Sequence, residues 1–186
     1  MTADVAELKI VFSGPMGAGK TTAIAAISDI APVLTDVANN DHAAFDKEST
    51  TVALDYGQIA LDDGVIVRLY GTPGQERFDF MRRILCQGAI GVILLIDGSR
   101  TDALASLDAY LSELLALDPA PALVIGIGRV TSPAAPVLAQ AMARLERLGL
   151  TLPLFRVDVR RREDVMLLVE TLVCLLEAHY ELEGRA

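Results

Sequence analysis

The stretch Gly14-Pro15-Met16-Gly17-Ala18-Gly19-Lys20-Thr21 follows the apolar run from Leu8 to Phe12 and matches the P-loop pattern G-x-x-x-x-G-K-[ST] at every fixed position. Glycines let backbone N–H groups curl around phosphate oxygens, Lys20 supplies charge to the β- and γ-phosphates, and the Thr21 hydroxyl can bind Mg²⁺. An apolar strand before the motif and a helical pattern after it favour nucleotide phosphate binding over an empty glycine-rich turn. The residues expected to contact nucleotide here are Gly14, Pro15, Met16, Gly17, Ala18, Gly19, Lys20, Thr21 and Thr22.

Composition limits the class of protein. The chain has 186 residues, of which 52% are hydrophobic, and a formal net charge of −9 at pH 7. That length suits one domain, residues 1–186, with a sizeable core. The acidic balance argues against binding to nucleic acid or anionic membranes, which needs a basic face. The longest apolar run, from Ala89 to Ile96, has the length of a strand and is far short of the roughly 20 residues that span a bilayer.

The termini and the cysteines predict the compartment. The chain enters its first strand within a few residues, and no lipidation signal closes it, so we expect no signal peptide, no stable membrane anchor and a cytoplasmic location. Cys86 and Cys174 lie in apolar helical patterns. Buried thiols without a disulfide are therefore predicted at both positions.

Strand and helix patterns alternate along most of the chain. The predicted strands are Leu8–Phe12, Thr51–Leu61, Val65–Tyr70, Ala89–Ile96, Ala122–Ile127 and Leu154–Val157. One helix is predicted directly after the P-loop, and a second between the Gly71–Glu76 motif and about Gln87. Three further helices are predicted over Ala103–Leu117, Pro136–Leu148 and Glu163–Tyr180. Asp62-Asp63-Gly64 between the second and third strands indicates a hairpin, and the aperiodic stretch from Val33 to Ser49 is predicted to be a long loop. The pattern predicts an α/β fold with a mostly parallel sheet and nucleotide at the carboxyl ends of the strands.

The P-loop, the run Thr51-Val-Ala-Leu-Asp-Tyr56 and the motif Gly71-Thr-Pro-Gly-Gln-Glu-Arg-Phe78 together resemble the small Ras-like GTPases. The resemblance implies a six-stranded mixed sheet of order 2-3-1-4-5-6, with strand 2 antiparallel and helices on both faces, and GTP or GDP with Mg²⁺ as ligands. It implies that Thr51, with Thr50 as a contender, ends the first switch and binds the metal. Gly74 matches the glycine whose N–H meets the γ-phosphate, and Gln75 the glutamine that orients the attacking water.

Three positions depart from that family pattern. Gly71 stands where the family has the aspartate that holds a metal-bound water. Met16 occupies a P-loop position where bulk slows hydrolysis. The guanine-reading Asn-Lys-x-Asp is absent, and Gly128-Arg-Val-Thr131 lies in its place.

These departures, with Pro73, make the chain similar to the bacterial branch that includes the MglA motility GTPases and the CvnD-type proteins encoded with roadblock/LC7 partners. Members of that branch also lack the second-switch aspartate. The resemblance implies a roadblock/LC7 protein as regulator and a role in bacterial signalling, polarity or motility. It also puts Asp158 and Arg160, in the segment from Val157 to Arg160, near the base.

Several residues keep two interpretations. Asp55 shares a strand face with Thr51, so its carboxylate either supplies the metal ligand that Gly71 cannot provide or faces solvent. Arg129 either lies along the purine face or is a surface residue, and Asp158 either accepts from the base or caps the loop before the last helix. No arginine is assignable as a finger within the chain, although Arg77 is close enough along the sequence to be considered.

The sequence therefore predicts a nucleotide-controlled switch that hydrolyses GTP slowly, with Lys20, Gly74 and Gln75 as its catalytic residues. Two alternatives remain open. One is a module of the same fold that holds nucleotide or a partner without hydrolysis, and Met16 and Gly71 favour it. The other is a metabolic P-loop kinase, but no arginine-rich lid segment is visible between the helices.

Overall fold

The computed structural model describes residues 7–31, 33–37, 52–61, 64–75, 79–132 and 135–183. Strands and helices alternate through most of these residues, as the sequence pattern predicts. In chain order the elements are β1 (Glu7–Ser13), α1 (Lys20–Ile27), β2 (Val33–Val37), β3 (Val52–Ala60), β4 (Ile66–Gly71), α2 (Asp79–Cys86), β5 (Gly91–Asp97), α3 (Ala103–Leu115), β6 (Ala122–Gly128), α4 (Pro136–Arg147), β7 (Leu154–Arg156) and α5 (Arg162–Glu183).

The described strands form one mixed sheet in the order β2-β3-β4-β1-β5-β6-β7. β1 lies between β4 and β5 and is parallel to both, with Phe12 in register with Gly71 on one side and Ile93 on the other. β5, β6 and β7 continue the parallel part, whereas β2 and β3 run antiparallel to their neighbours. The carboxyl ends of β1, β4, β5 and β6 therefore meet at one edge, where ligands bind in open α/β sheets.

The predicted six strands and their order are confirmed, because β3-β4-β1-β5-β6-β7 is the expected 2-3-1-4-5-6 sheet with its second strand antiparallel. This is the Ras-like α/β fold. The loop prediction for residues 33–49 is wrong at its start. Val33–Val37 forms a seventh strand among the described residues and pairs antiparallel with β3. Its five residues carry too little pattern to be recognised alone, and the open edge of β3 supplies their hydrogen-bond partners.

The core consists of two layers, one on each face of the sheet. Side chains alternate between faces along a strand, so Ile10 and Phe12 pack into the layer under α1 and α5, and Val11 packs into the layer under α3. Every residue of β5 is buried. This explains why its sequence is a continuous apolar run, since helices cover both of its faces.

The closing helix α5 is 22 residues long and packs against the sheet through Val165, Leu168 and Leu172. Cys174 lies on its exposed side, so the prediction of a buried thiol there is wrong, whereas Cys86 is buried as predicted. A helix with apolar residues on most sides does not reveal by itself which side faces the core. Among the described residues, no helix has the length and apolar character needed to cross a membrane.

Candidate functional site

The P-loop turn connects the end of β1 to the start of α1 and depends on glycine at both of its ends. Gly14 and Gly19 have φ angles of 139° and 95°, which L-residues with side chains rarely adopt. A methyl group on Gly14 would overlap the Leu95 carbonyl oxygen of β5, and one on Gly19 would lie 2.8 Å from Val159 Cγ2. The turn therefore brings main chain close to the carboxyl edge of the sheet and points the first N–H groups of α1, which have no acceptor within the helix, into the cradle.

Lys20 is folded back across this turn. Its side chain is buried, and its Nζ donates to the carbonyl oxygens of Gly14 at 2.6 Å and Pro15 at 2.9 Å. Burial lowers the pKa of Lys20 to about 8, although the charge of Asp55 opposes the shift and that of Arg82 adds to it. An ammonium group held over the cradle by two carbonyls is placed to exchange them for phosphate oxygens, which are stronger acceptors.

Thr21 and Asp55 form a pair of oxygen ligands beside the cradle. Thr21 Oγ1 donates to Asp55 Oδ2 at 2.6 Å, and Asp55 is only 8% exposed. Asp55 is in register with Gly71 across the β3–β4 ladder, and a methyl group on Gly71 would lie 2.8 Å from Asp55 Oδ2. The carboxylate therefore fills the space that a side chain at position 71 would need. A hydroxyl and a carboxylate at this place are the hard oxygen donors that Mg²⁺ prefers, so these two residues fit the metal.

The segment after β4 lies directly on the P-loop. A methyl group on Gly74 would lie 2.7 Å from both Met16 Cα and the Pro15 carbonyl carbon, so only glycine permits this approach. The side chain of Met16 is 68% exposed beside it, and Gln75 is also exposed. Thr50, Thr51 and Arg77, to which the sequence assigns roles, lie outside the described residues.

A cavity of about 710 Å³ continues from the P-loop toward the ends of β6 and β7. Three segments that are distant in sequence form it: the start of α1, the turn after β6, and the turn between β7 and α5. It is lined by Ala18, Gly19, Thr22, Gly128, Arg129, Val130, Thr131, Arg156, Val157, Asp158, Val159, Arg160, Arg161 and Asp164. We call the part formed by Arg129, Arg156, Arg160 and Arg161 the arginine end of the cavity.

Arg129 is anchored at the arginine end by Asp97. Arg129 has a φ angle of 55°, and its Nη1 donates to Asp97 Oδ2 at 2.6 Å. Asp97 ends β5 and is 4% exposed. Burial opposes ionisation of Asp97, but hydrogen bonds from Ser99 and the charge of Arg129 prevail, and its pKa lies below the usual range. The ion pair fixes the Arg129 side chain and leaves it 63% exposed toward the cavity.

Asp158 is engaged by its neighbour Arg160. Arg160 Nε and Nη2 donate to the two carboxylate oxygens at 2.8 and 2.6 Å, and the Arg160 backbone N–H donates to Oδ1 at 3.1 Å. These bonds lower the pKa of Asp158 to about 2, so the carboxylate is an ionised acceptor. The bond to the backbone two residues on is an Asx turn, in line with the loop-capping interpretation. Asp158 and Arg160 both line the cavity, so their predicted proximity to a base stays a prediction.

A second cavity, of about 750 Å³, lies between α3 and α4 and is separate from the P-loop. Leu111, Leu115, Leu148 and Leu150 supply much of its lining. It contains neither glycine-rich main chain nor the amino end of a helix, and these are the features that bind phosphate. The P-loop cavity is therefore the candidate site.

Sequence reasoning missed four polar residues that support the site. Asp97 anchors Arg129, Arg82 contacts Tyr110 and Glu113, and Arg82 and Tyr110 contact the segment after β4. One of them had a visible signal: Asp97 ends a buried apolar run, and polar residues at the carboxyl ends of strands face the ligand edge of an α/β sheet. The other three have no local pattern, because Arg82 and Glu113 are 31 residues apart and Tyr110 is 36 residues from Gly74.

Comparison with known families agrees with this geometry. Residues 12–120, which include the P-loop and the segment after β4, match the family described as "Conserved hypothetical ATP binding protein". The chain belongs to this family. It is thus a member of a nucleotide-binding P-loop family, and its described sheet has the Ras-like order.

Three curated proteins illustrate how far the similarity reaches. An uncharacterized protein of Methanocaldococcus jannaschii, MJ1339, is 33% identical over 94 residues, covering 50% of this chain and 53% of the relative. GTP-binding protein ypt4 of Schizosaccharomyces pombe is 27% identical over 128 residues, or 65% and 50% of the two chains. Ras-related protein Rab-18-B of Danio rerio is 31% identical over 111 residues, or 58% and 48%. The chain thus spans about half the length of these curated relatives.

Proposed function

We propose that this protein is a GTP-binding switch that hydrolyses GTP slowly and is stimulated by a partner. The observation that carries the proposal is the contact of Gly74 with the P-loop backbone at Met16, beside the buried Lys20. This contact puts the segment after β4 next to the phosphate cradle. A terminal phosphate bound there would meet the Gly74 N–H, so that segment would respond to whether the phosphate is present.

Phosphate binding rests on main chain and on one charge. The N–H groups of residues 15–21 would surround the β-phosphate, and the amino end of α1 would add its positive dipole. Lys20 Nζ would leave the carbonyls of Gly14 and Pro15 for the β- and γ-phosphates. Binding therefore exchanges neutral acceptors for charged ones.

Thr21 and Asp55 would hold Mg²⁺ in this scheme, together with Thr51 from the first switch. Asp55 lies in the space beside Gly71 and contacts the Thr21 hydroxyl, so it supplies the carboxylate that position 71 lacks. When bound, the metal neutralises charge on the β- and γ-phosphates. The side chain of Asp55 fixes the Thr21 hydroxyl by accepting its hydrogen bond.

Hydrolysis would depend on Gln75, which would align the attacking water, while Lys20 and the Gly74 N–H offset charge on the phosphoryl oxygens. Two features make it slow. Met16 adds bulk at the surface of the P-loop beside Gly74, and Gly71 removes the usual second-switch carboxylate. An arginine finger supplied by another protein accelerates such reactions by about 10³–10⁵, so a slow isolated enzyme leaves ample room for a partner.

The proposed regulator and the proposed contacts to the base rest on the resemblance to the bacterial branch of the Ras-like GTPases. A roadblock/LC7-domain protein is the proposed regulator, and bacterial signalling or polarity is the proposed setting. Asp158, Arg129 and Arg160 are the proposed contacts to the base. Because both oxygens of Asp158 accept from Arg160, we propose only a weak preference for GTP over ATP.

Single-turnover hydrolysis of GTP tests the proposal. The wild type and Gln75→Leu would be compared with and without a roadblock/LC7 partner, after the nucleotide released from purified protein by denaturation has been identified. Slow hydrolysis that the partner accelerates, and that Gln75→Leu abolishes, is the expected result. Fast hydrolysis by the isolated wild type, unchanged in Gln75→Leu, would overturn both the slow-switch proposal and the role of Gln75.

A non-hydrolysing interaction module of the same fold is the second candidate. The exposed Met16 beside Gly74 favours it, because bulk at this place crowds an aligned water. The same assay separates the two candidates. If the protein binds GTP but does not hydrolyse it, even with the partner present, the result supports the non-hydrolysing module.

A further inference from the structure

Side chains from α2 and α3 hold three consecutive peptide groups of the segment after β4. Arg82 Nη1 donates to the carbonyl oxygens of Pro73 at 3.4 Å and Gln75 at 3.5 Å. Tyr110 Oη donates to the carbonyl oxygen of Gly74 at 3.4 Å. Each of these hydrogen bonds is long and individually weak. Together they restrain the backbone of the two residues, Gly74 and Gln75, to which the proposed reaction assigns roles.

Arg82 is itself held in one orientation. Its side chain is only 5% exposed, and Nη2 and Nε donate to Glu113 Oε2 at 2.8 and 3.1 Å. The guanidinium carbon lies 4.8 Å from the centroid of the Tyr110 ring. A buried guanidinium needs such a charge partner, and a planar fork stacked on a ring has little rotational freedom. Glu113 and Tyr110 thereby direct the remaining nitrogen of Arg82 toward the segment after β4.

The opposite side of the same segment is in contact with the P-loop. Gly74 approaches the Pro15 carbonyl carbon and Met16 Cα so closely that a methyl group would be 2.7 Å from each. Gly74 thus lies between the P-loop on one side and Tyr110 on the other. A change in the orientation of Arg82 or Tyr110 would move the Gly74 N–H relative to the cradle, whereas the cradle itself, built from residues 14–21, would keep its shape.

We propose that Arg82, oriented by Glu113 and Tyr110, is a positioning residue that holds Gly74 and Gln75 in place for the terminal phosphate. We call these three residues the switch clamp. This inference rests on the proposed function, since it concerns how the same site distinguishes a triphosphate from a diphosphate. The clamp touches no phosphate. It acts through the segment after β4, so its removal weakens triphosphate binding and slows hydrolysis without changing diphosphate binding.

The test uses Tyr110→Phe, which removes only the hydroxyl, and Arg82→Lys, which keeps the charge but not the planar fork. Affinities for GDP and for a non-hydrolysable GTP analogue would be measured by calorimetry with Mg²⁺, alongside single-turnover hydrolysis and the melting temperature. We expect Tyr110→Phe to lower the ratio of triphosphate to diphosphate affinity about twofold to threefold, the lower end of the scale of one hydrogen bond because this bond is long, and Arg82→Lys to lower it further. GDP affinity stays at the wild-type value in both.

Asp108→Asn is the matched control. Asp108 lies on α3, as Tyr110 does, but it faces the groove toward α4, where it forms an ion pair with Arg144. This substitution is expected to leave the affinity ratio unchanged. If Tyr110→Phe and Arg82→Lys shift only the melting temperature and keep the wild-type ratio, the clamp is merely structural and the inference is overturned. If the wild type binds neither nucleotide, the proposed function fails first, and this outcome is distinguishable because no variant is needed to see it.

Discussion

The two ends of the candidate cavity are built in different ways. At the P-loop end, eight consecutive residues make the cradle, and the ligands they present are mainly backbone N–H groups with one buried lysine. At the arginine end, side chains from the turn after β6 and from the β7–α5 segment meet, and Arg129 and Arg160 are already paired with Asp97 and Asp158. The first end offers backbone donors in a fixed geometry. The second offers charges that largely neutralise one another.

This difference indicates how strongly each end can discriminate. Main-chain donors fixed by a turn cost little to organise, so they bind phosphate tightly whatever the base. A site discriminates strongly between bases when it contains a polar group that only the correct base can pair, because binding of another base leaves that group without a hydrogen bond. Both carboxylate oxygens of Asp158 already accept hydrogen bonds from Arg160. These bonds remain when a base other than guanine is bound, so the carboxylate is not left unpaired. Substitutions at the two ends test this contrast, beginning with the change of largest expected effect.

Lys20→Ala should lower affinity for GTP by about 10²–10⁴-fold, because it removes two charge-assisted contacts worth about 1.5–3 kcal/mol each, and affinity for GDP, which offers only the β-phosphate contact, by about 10–10²-fold. Calorimetric titration with each nucleotide measures the loss. Lys9→Ala is a suitable control, because Lys9 lies in β1 near its amino end, away from the P-loop, and donates to the Gln87 carbonyl oxygen there. Undiminished affinity in folded Lys20→Ala protein would contradict the assignment of the phosphate cradle.

Asp55→Asn should lower the Mg²⁺-dependent gain in GTP affinity roughly tenfold or more, since an amide oxygen is a weaker ligand than a carboxylate for a hard cation. Titration of GTP with and without Mg²⁺ gives the gain directly. Affinity measured in EDTA should stay near wild type, which separates a missing metal ligand from a damaged fold. An unchanged gain in Asp55→Asn would mean that the carboxylate serves only to orient Thr21.

Arg129→Ala should lower affinity for GTP and ATP by a similar factor of about two to five, the scale of a cation stacked on a ring. Competition binding of the two nucleotides reports both the loss and the preference between them. Arg147→Ala, in the groove between α3 and α4, is the matched arginine control. A wild-type preference for GTP beyond about 10⁴-fold would show that the arginine end contains an intact base reader after all.

Nucleotide binding should take up about half a proton at pH 8. The pKa of Lys20 is lowered to about 8 in the free protein, and bound phosphates favour its charged form and raise that pKa again. Affinity should therefore fall about twofold between pH 6.5 and pH 8. Calorimetry in two buffers of different ionisation enthalpy measures the uptake. At pH 6.5 Lys20 is charged in both states, so the proton uptake at Lys20 itself should vanish there.

The lowered pKa of Lys20 also makes the free energy of unfolding depend on pH. Between the folded pKa of about 8 and the unfolded value near 10.5, the unfolded chain binds more protons at Lys20 than the folded chain does. The contribution of Lys20 to the free energy of unfolding therefore rises with pH across this window. Below pH 8 the buried charge is a full cost to the nucleotide-free fold, which bound phosphate would offset.

The sequence by itself determined the P-loop turn and the succession of strands and helices, whereas the order of the strands in the sheet was implied by the resemblance to the Ras-like GTPases. A P-loop is a local device, in which glycines, a lysine and a threonine act through a turn of eight residues, so the motif carries its own geometry. Buried parallel strands are likewise visible as continuous apolar runs, as in β5. The strand β2 is not visible in the same way because five residues at a sheet edge carry little pattern, nor is the exposure of Cys174, because α5 is apolar on most of its sides.

Only the tertiary structure decided which side chains work together. Asp55 lies in the space beside Gly71 because two antiparallel strands happen to be in that register. Arg129 meets Asp97, and Arg82 meets Glu113 and Tyr110, across 28 or more residues of chain. Side-chain pairing at such separations depends on the packing of whole elements, which no local spacing encodes. A local backbone motif can therefore be recognised in the sequence, whereas contacts between side chains that are distant in sequence are known only from the packed structure.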